Sequence, residues 1–358
     1  TALALARYMS AYSFSMSAWR SRLTALLLLA VPMAIIMLQN DTGSAIVFAS
    51  FLMVFYREGL NGWIYVAIGM VIFLFVFSFL WTPATLLAAI LILCTLIESI
   101  LNGAWLRNLR YLAAVALSSL LIYLIAAAVT GGTAGYYGCL LAASLLSLPV
   151  VGVYAWRSKL KNVLICIGMF IGSVLFTNLV DVVFDHMQIH QQKRILDLLG
   201  VESDLQYWGY NVNQSKIAIG SGGLLGKGYL HGTQTRYDFV PEQSTDFIFC
   251  TVGEEWGFVG SVVVLGLFCW LILRLIRMGE RQHEAFGRVY CYGVASILLF
   301  HVLVNVGMTI GLMPVIGIPL PLFSYGGSSL FAFTLLFFVA VKLDACRRES
   351  SETGDRTF

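Results

Sequence analysis

An all-α, polytopic membrane fold, with about eleven transmembrane segments and a large extracytoplasmic loop, follows from three properties of the sequence. The 358 residues are 59% hydrophobic and 11% charged, with a mean hydropathy of +0.84; a soluble domain carries about 25% charged residues. Apolar runs close to the ~20 residues that a helix needs to cross a bilayer recur along the chain. Alternating β-barrel patterning is absent, which leaves helices as the spanning element, because lipid offers no partner to an unpaired backbone group. The net charge of +3 says little in such a chain, where the placement of charge carries the information. No nucleic-acid partner is expected.

The first segment, 1–14, opens at Thr1 without the charged start or cleavage site of a signal peptide, so the numbering is expected to begin inside a longer protein. Segment 23–38 follows Trp19 and ends at the polar interruption QNDTGS (Gln39–Ser44). Segment 44–56, like the first, is short for a full crossing. Five more follow at 61–80, 83–101, 111–128, 137–155 and 162–185. Trp63, Trp81, Trp105 and Trp156 fall at their ends, as Trp19 does at the second, where interfacial anchors belong. A loop of about sixty residues, 186–245, is rich in Gly, Gln, Tyr and Lys; structureless loops of that length are uncommon unless functional. Within it, Ser215–Gly226 has the pattern of a short interfacial helix followed by a glycine turn. Segments 246–273, 286–313 and 329–342 complete the set, with PVIGIPLPLFSYGGSS (Pro314–Ser329) read as a re-entrant or tight loop between the last two. The whole of 1–358 is treated as one integral membrane domain. No internal repeat is evident, so the inverted-repeat signature of many transporters is missing. The seven cysteines lie mostly in apolar runs without CxxC or Cys/His spacing and read as buried small hydrophobes.

Charge placement orients these segments. With the N-terminus outside and every segment crossing, the inner face receives Arg7, Arg20, Arg22, Arg57, Arg107, Arg110, Arg157, Lys159, Lys161, Arg274, Arg277, Arg281, Arg288, Lys342, Arg347, Arg348 and Arg356. That is 17 of the 22 basic residues, leaving Lys193, Arg194, Lys216, Lys227 and Arg236 outside. The positive-inside rule selects this orientation, with a cytoplasmic C-terminus. QNDTGS, the long loop and Pro314–Ser329 then share the outer face.

Chemistry is expected where the apolar scaffold stops. Asp246 follows Ser244–Thr245 at the start of an apolar helix; it reads either as a helix cap or as a reactive carboxylate at the outer membrane boundary, where a lipid-linked head group would sit. Asp41 reads as a turn residue or a second site carboxylate. Glu254 and Glu255 lie over two turns into the ninth segment, where acids are costly and default to a functional or paired role; a structural pair is an alternative to catalysis. Asp181 and Asp185 read as solvated rim. The five outer cations oppose the positive-inside bias, so they are either simply solvated or bind something anionic, with phosphate or pyrophosphate the natural candidate. The glycines of GSGGLLGKG resemble a phosphate cradle only weakly. His231 and His190 are candidate bases or solvated loop residues.

At SKIAIGSGGLLGKGYLHGTQ continuing through FVPEQSTDFIF, at NVGMTIGLMPVIGIPLPLFSYGGSS (Asn305–Ser329), and more weakly at QNDTGS and HQQKR, the chain resembles the SEDS family (shape, elongation, division, sporulation). The HGTQ…FVPE…TDFIF string favours its rod-shape branch over its division branch. The resemblance implies a peptidoglycan glycosyltransferase that polymerises lipid II from undecaprenyl-linked glycan in the cytoplasmic (inner) membrane and works with a class B penicillin-binding protein transpeptidase. It implies Asp246 as the catalytic carboxylate and Asp41 as the match to the aspartate of a QPDLG motif, although Asn40 and Thr42 replace the usual Pro and Leu. Gln191 and Arg194 match polar positions before the loop, and Pro241–Glu242 match a PE pair. The family has about ten helices, three of them ahead of the first segment here, so the chain resembles a piece lacking that region; residues 61–185 hold five segments where the family has one.

The reaction so implied is inverting glycosyl transfer on the outer face, with Asp246 as base and Arg194 and Lys216 as phosphate ligands. Glu242 and Ser324 are further candidates for substrate contact. A divalent cation, magnesium or manganese, or basic side chains can stabilise the leaving pyrophosphate. Asp246 is expected to line a polar, outward-open cavity with Asp41 and with one of Lys193, Arg194 or Lys216 close enough to keep it ionised. A lipid-linked oligosaccharide flippase and a non-catalytic scaffold are the alternatives.

Overall fold

The computed structural model describes all residues except 13, 40, 104, 131–134, 158–160, 187–188, 190–191, 194–195, 197–208 and 355–358. Every apolar segment expected from the sequence contains helix. In order these are α1 (Ala2–Met9), α2 (Trp19–Leu38), α3 (Thr42–Val47), a 3-10 turn (Phe48–Phe51) running into α4 (Leu52–Arg57), α5 (Trp63–Leu80), α6 (Pro83–Asn102), α7 (Trp105–Thr130), α8 (Tyr136–Arg157) and α9 (Lys161–Asp185). After the long loop come α10 (Tyr210–Gly222), α11 (Thr233–Arg236), α12 (Ile248–Glu280), α13 (Ala285–Thr309) and α14 (Gly327–Gly354). Among the described residues there is no strand. Among the described residues seven helices are long and apolar enough to cross a membrane, and 42–57, 67–80 and 167–180 are shorter apolar helices. The protein is therefore a multi-pass, all-α membrane protein, while a count of eleven crossings is not established. α10 is the helix that Ser215–Gly226 suggested, begun five residues earlier.

The chain folds as two compact units, Thr1–Ile64 with Ser203–Phe358, and Tyr65–Glu202. The second unit holds most of α5 and all of α6–α9, close to the 61–185 stretch singled out by its surplus of segments. Its core is Leu74, Leu86, Leu87, Ile90 and Phe170. The intramembrane carboxylate of Glu98 there is neutralised by Arg107 and bonded by the Asn108 amide, as a buried acid in lipid requires.

The first unit is built around α13, the most buried of the seven long apolar helices. Tyr290, Cys291, Val294 and Leu298 pack against Phe51, Val54, Phe55 and Leu275. α1 packs on α13. Leu5 and Ala6 are fully buried in this same core, because its apolar face has α13 to cover. At the end where the arginines collect, Arg57 pairs with Glu280 at 2.8 Å and Arg288 with Glu58 at 3.0 Å, and Arg281 with Asp344. These pairs fasten α4 and the loop after it, α12, α13 and α14 at one rim.

Candidate active site

The site grows out of a break in α12. Gly257 stands at φ 63°, ψ −158° inside the helix, a conformation that a side chain would strain. A break frees backbone groups that lipid cannot satisfy, and the glycine-rich loop supplies them. Phe258 N–H donates to Gly223 O at 2.9 Å and Val259 N–H to Leu224 O at 3.1 Å, while Lys227 and Gly228 N–H donate to Glu254 and Glu255 O, each at 3.0 Å. The backbones touch: a Cβ on Gly226 would fall 2.1 Å from Glu255 O. Gly222 and Gly226 of GSGGLLGKG therefore allow the close approach of the loop to the broken helix.

Glu254 closes the same joint. Its side chain is fully buried and accepts from the N–H groups of Thr233, Gln234 and Thr235 at 2.7, 2.9 and 2.9 Å, at the N-terminus of α11. Lys227 Nζ lies 2.7 Å away. Of the two readings of Glu254, the structural pair is the one observed, and Lys227 is committed to it rather than held for an anion.

Beyond this joint the chain turns through Val240–Phe247 into α12. Glu242 sits at φ 54°; its carbonyl accepts from Thr245 and Phe247 N–H, and its carboxylate from Thr245 Oγ1 at 3.0 Å. Leu230, Asp238, Glu242 and Leu322 are the non-glycine residues with positive φ among the described residues. All four lie in the loops around this turn. Such strain, costing about 1–3 kcal/mol each, persists where the surroundings over-determine it and clusters at functional sites.

Asp246 is half-buried and does not cap α12. The N-cap is Phe247, with no side-chain cap bond. Its main chain is clamped instead: Asn305 Nδ2 donates to Asp246 O at 2.7 Å and to Ile318 O at 2.8 Å. Ser324 Oγ donates to Thr245 O at 2.6 Å and accepts from Leu320 N–H at 2.7 Å; Tyr325 N–H donates to Ser244 O at 2.8 Å. Ser324, expected to touch substrate, thus spends its hydroxyl on holding the Pro314–Ser329 loop to the Asp246 turn. Asn305 is a positioning residue that the sequence reading passed over; its signal was an amide buried in the apolar run of α13.

That loop also joins the two aspartates. A Cβ on Gly317 would lie 3.3 Å from Asp246 Oδ2, and a Cβ on Gly43 2.6 Å from Ile316 O and 3.5 Å from Asp41 Oδ1. Gly43, two residues after Asp41, and Asp246, some two hundred residues further along the sequence, meet the same Ile316–Gly317 stretch. Their electrostatics differ. Asp41 caps α3, accepting from Ser44 N–H at 3.0 Å, and hydrogen bonds from the Ser44 side chain and backbone hold its pKa below the ordinary aspartate value. Burial, and then repulsion from Glu242, push the Asp246 pKa up. Within the first unit the charged neighbour that acts on Asp246 is an acid, Glu242, rather than the expected Lys216. Lys216 lies instead over the end of α13, where a Cβ on Gly311 would come 2.4 Å from its Nζ. Gln191 and Arg194 lie outside the described residues, and Lys193 belongs to the second unit.

A cleft of about 560 Å3 opens beside the turn, walled by His231, Arg236, Gln243, Ser244, Thr251 and Glu255 among others. Asp246 is flanked by two of its walls, Ser244 and Ile248, but is not itself a wall.

Peptidoglycan glycosyltransferase MrdB of Escherichia coli (strain K12) is 46% identical over 167 residues, 47% of this chain and 45% of that protein. Peptidoglycan glycosyltransferase RodA of Treponema pallidum (strain Nichols) is 50% identical over 141 residues, 39% of this chain and 33% of that protein. The chain thus spans less than half the length of these curated relatives. Among solved structures, a chain of a peptidoglycan synthase complex is 26% identical, covering 86% of this chain and 96% of that one at a TM-score of 0.38. The crystal structure of Thermus thermophilus RodA is 24% identical, covering 80% and 96%, at 0.29. The family model FTSW_RODA_SPOVE, described as cell cycle protein, matches residues 87–349, almost three-quarters of the sequence, and the chain belongs to that family.

Proposed function

We propose that this chain carries the active site of a peptidoglycan glycosyltransferase, which polymerises lipid II at the outer face of the cytoplasmic membrane. The observation that carries the reading is Asp246: a half-buried carboxylate, freed from capping, held by its main chain on two sides and with its pKa raised above the ordinary aspartate value by burial, the direction a proton acceptor needs. In the proposed step, Asp246 takes the proton of the 4-hydroxyl of a lipid II GlcNAc as that oxygen bonds to the anomeric carbon of the strand's terminal sugar. The bond to undecaprenyl pyrophosphate breaks with inversion, and the lipid tails stay in the bilayer. Asn305 and Ser324 hold the carboxylate in place, and Arg194 and Lys216 are the candidate phosphate ligands.

Asp41, exposed and ionised, is the residue that would hold a magnesium or manganese ion, since magnesium is commonly bound by one or two carboxylates with substrate phosphates completing the shell. Among the described residues no three His, Cys, Asp or Glu side chains converge, so such an ion would take its remaining ligands from substrate. When bound it offsets the charge of the departing pyrophosphate.

The arginine-rich rim, read as cytoplasmic, supports an outer location for the site, an outer N-terminus and an inner C-terminus. A class B penicillin-binding protein is the proposed partner. One feature favours the flippase alternative: a broken helix beside the site is the form that transporters use at their substrate sites. Purified protein with its partner, given lipid II, separates the two. Glycan polymer formed by the wild type and lost in Asp246→Asn supports the transferase, whereas lipid II carried across a vesicle without polymer supports the flippase.

A further inference from the structure

Glu255 is the acid that the joint leaves over. It lies beside Glu254 on the segment of α12 before the break, yet points to different company. The residue is 8% exposed, and among the described residues its carboxylate has no ion-pair or hydrogen-bond partner. Its main-chain carbonyl is used by Gly228; its side chain forms part of the wall of the 560 Å3 cleft. Lys227, the cation of the same joint, is occupied by Glu254. Arg236 walls the same cleft from its exposed edge but makes no ion pair with Glu255 within 4.0 Å. With no protein partner among the described residues, the Glu255 carboxylate opens on the cleft, where a cation with several donors is the complementary group.

We propose that this cleft binds an amino-acid zwitterion, with a primary ammonium on Glu255 and its neighbouring carboxylate on Arg236. An ammonium supplies the missing positive charge and three donors; the guanidinium fork at the edge matches a carboxylate. Resting on the glycosyltransferase reading, this identifies the ligand as the free amino-acid end of a diamino acid in the peptide arm of the lipid-linked substrate, docked beside the Asp246 turn. Glu255 and Arg236 are then specificity residues for the peptide, separate from the groups that act on the sugar.

The test uses the whole protein in nanodiscs and a soluble pentapeptide carrying meso-diaminopimelate, with its side-chain amine free or acetylated, titrated by ligand-observed NMR. Wild type should bind the free-amine peptide about tenfold more tightly than the acetylated one, as a charged hydrogen bond in a buried site warrants. Glu255→Gln should abolish that difference while melting no lower than wild type, because the carboxylate makes no ion pair or hydrogen bond within the described residues that the amide would lose. Replacing diaminopimelate by lysine, which lacks the second carboxylate, should weaken binding to wild type and leave Arg236→Gln unaffected. Equal binding of the free and acetylated peptides to wild type overturns the proposal with no variant needed, and so does a difference that persists in Glu255→Gln. Lipid II polymerisation is assayed separately. Polymer without amine discrimination refutes this site and leaves the transferase standing; discrimination without polymer does the reverse.

Discussion

Replacing Glu254 by Ala should release the loop that closes the broken helix. The carboxylate is fully buried and accepts three main-chain N–H bonds of 2.7–2.9 Å at the start of α11. It also holds Lys227 Nζ at 2.7 Å. Alanine leaves those amides without an acceptor, at about 1–3 kcal/mol for each buried unsatisfied group. Losing one partner of a buried ion pair costs roughly 3–5 kcal/mol. Lys227 is about a quarter exposed and can turn to water, and the amides can recover part of their loss as α11 moves outward. The net effect is therefore placed at about 3–5 kcal/mol, felt locally. Lys227→Ala should cost less, about 1.5–3 kcal/mol for one charged hydrogen bond, because the amides still neutralise Glu254. The assay is hydrogen exchange on the protein in nanodiscs, read at Thr233, Gln234 and Thr235. The protection lost should be about a hundredfold or more in Glu254→Ala and smaller in Lys227→Ala. Unchanged exchange at these three amides in Glu254→Ala would refute the latch.

Asp246→Asn should lower lipid II polymerisation by about 10²–10⁴-fold, the usual worth of a general base, without lowering the melting temperature. A carboxylate whose folded pKa is raised contributes stability only while protonated and loses it as pH rises through that pKa, so at neutral pH the amide is the better-tolerated group; polymerisation near the wild-type rate would show Asp246 to be structural. The pH–rate profile should lose activity as pH falls through the raised Asp246 pKa, and Glu242→Gln, by removing the acidic neighbour, should move that acid limb to lower pH. Gly226→Ala should destabilise the protein by about 1–3 kcal/mol, since its Cβ would fall 2.1 Å from Glu255 O at φ 80°; a melting curve unchanged from wild type would show that the loop shifts freely.

The fold was legible because lipid leaves a chain few options: each apolar run became helix, and the tryptophans marked ends within a few residues. Boundaries slipped where polar ends carry long aliphatic stems. α12 continues through Arg274 and Arg277 to Glu280, because such side chains reach out of the apolar layer while their backbone stays helical. Asp246 was legible from its place between a polar loop and an apolar helix. Its lack of a capping role, the Asn305 clamp and the different fates of Glu254 and Glu255 were not. Adjacent glutamates look alike in a sequence, and only the arrival of α11 and Lys227 on one of them tells them apart. The helix break was hidden for a related reason: Gly257 looks like Gly253 and Gly260 in the same apolar run, and the loop that makes a break tolerable is thirty residues upstream.

That order along the chain bears on how the protein is made. The segment Ile248–Trp256 has open main-chain groups at its inner end until Gly223–Gly228 bonds to it. Residues 210–237 leave the ribosome ahead of α12, so the piece that completes the break is translated first and is at hand when the break enters the bilayer. A circular permutant that moved 210–237 behind α12 would present the translocon with a half-helix of unsatisfied groups. The same twenty-eight residues would then arrive too late to spare the cell's quality control an exposed, unfinished span.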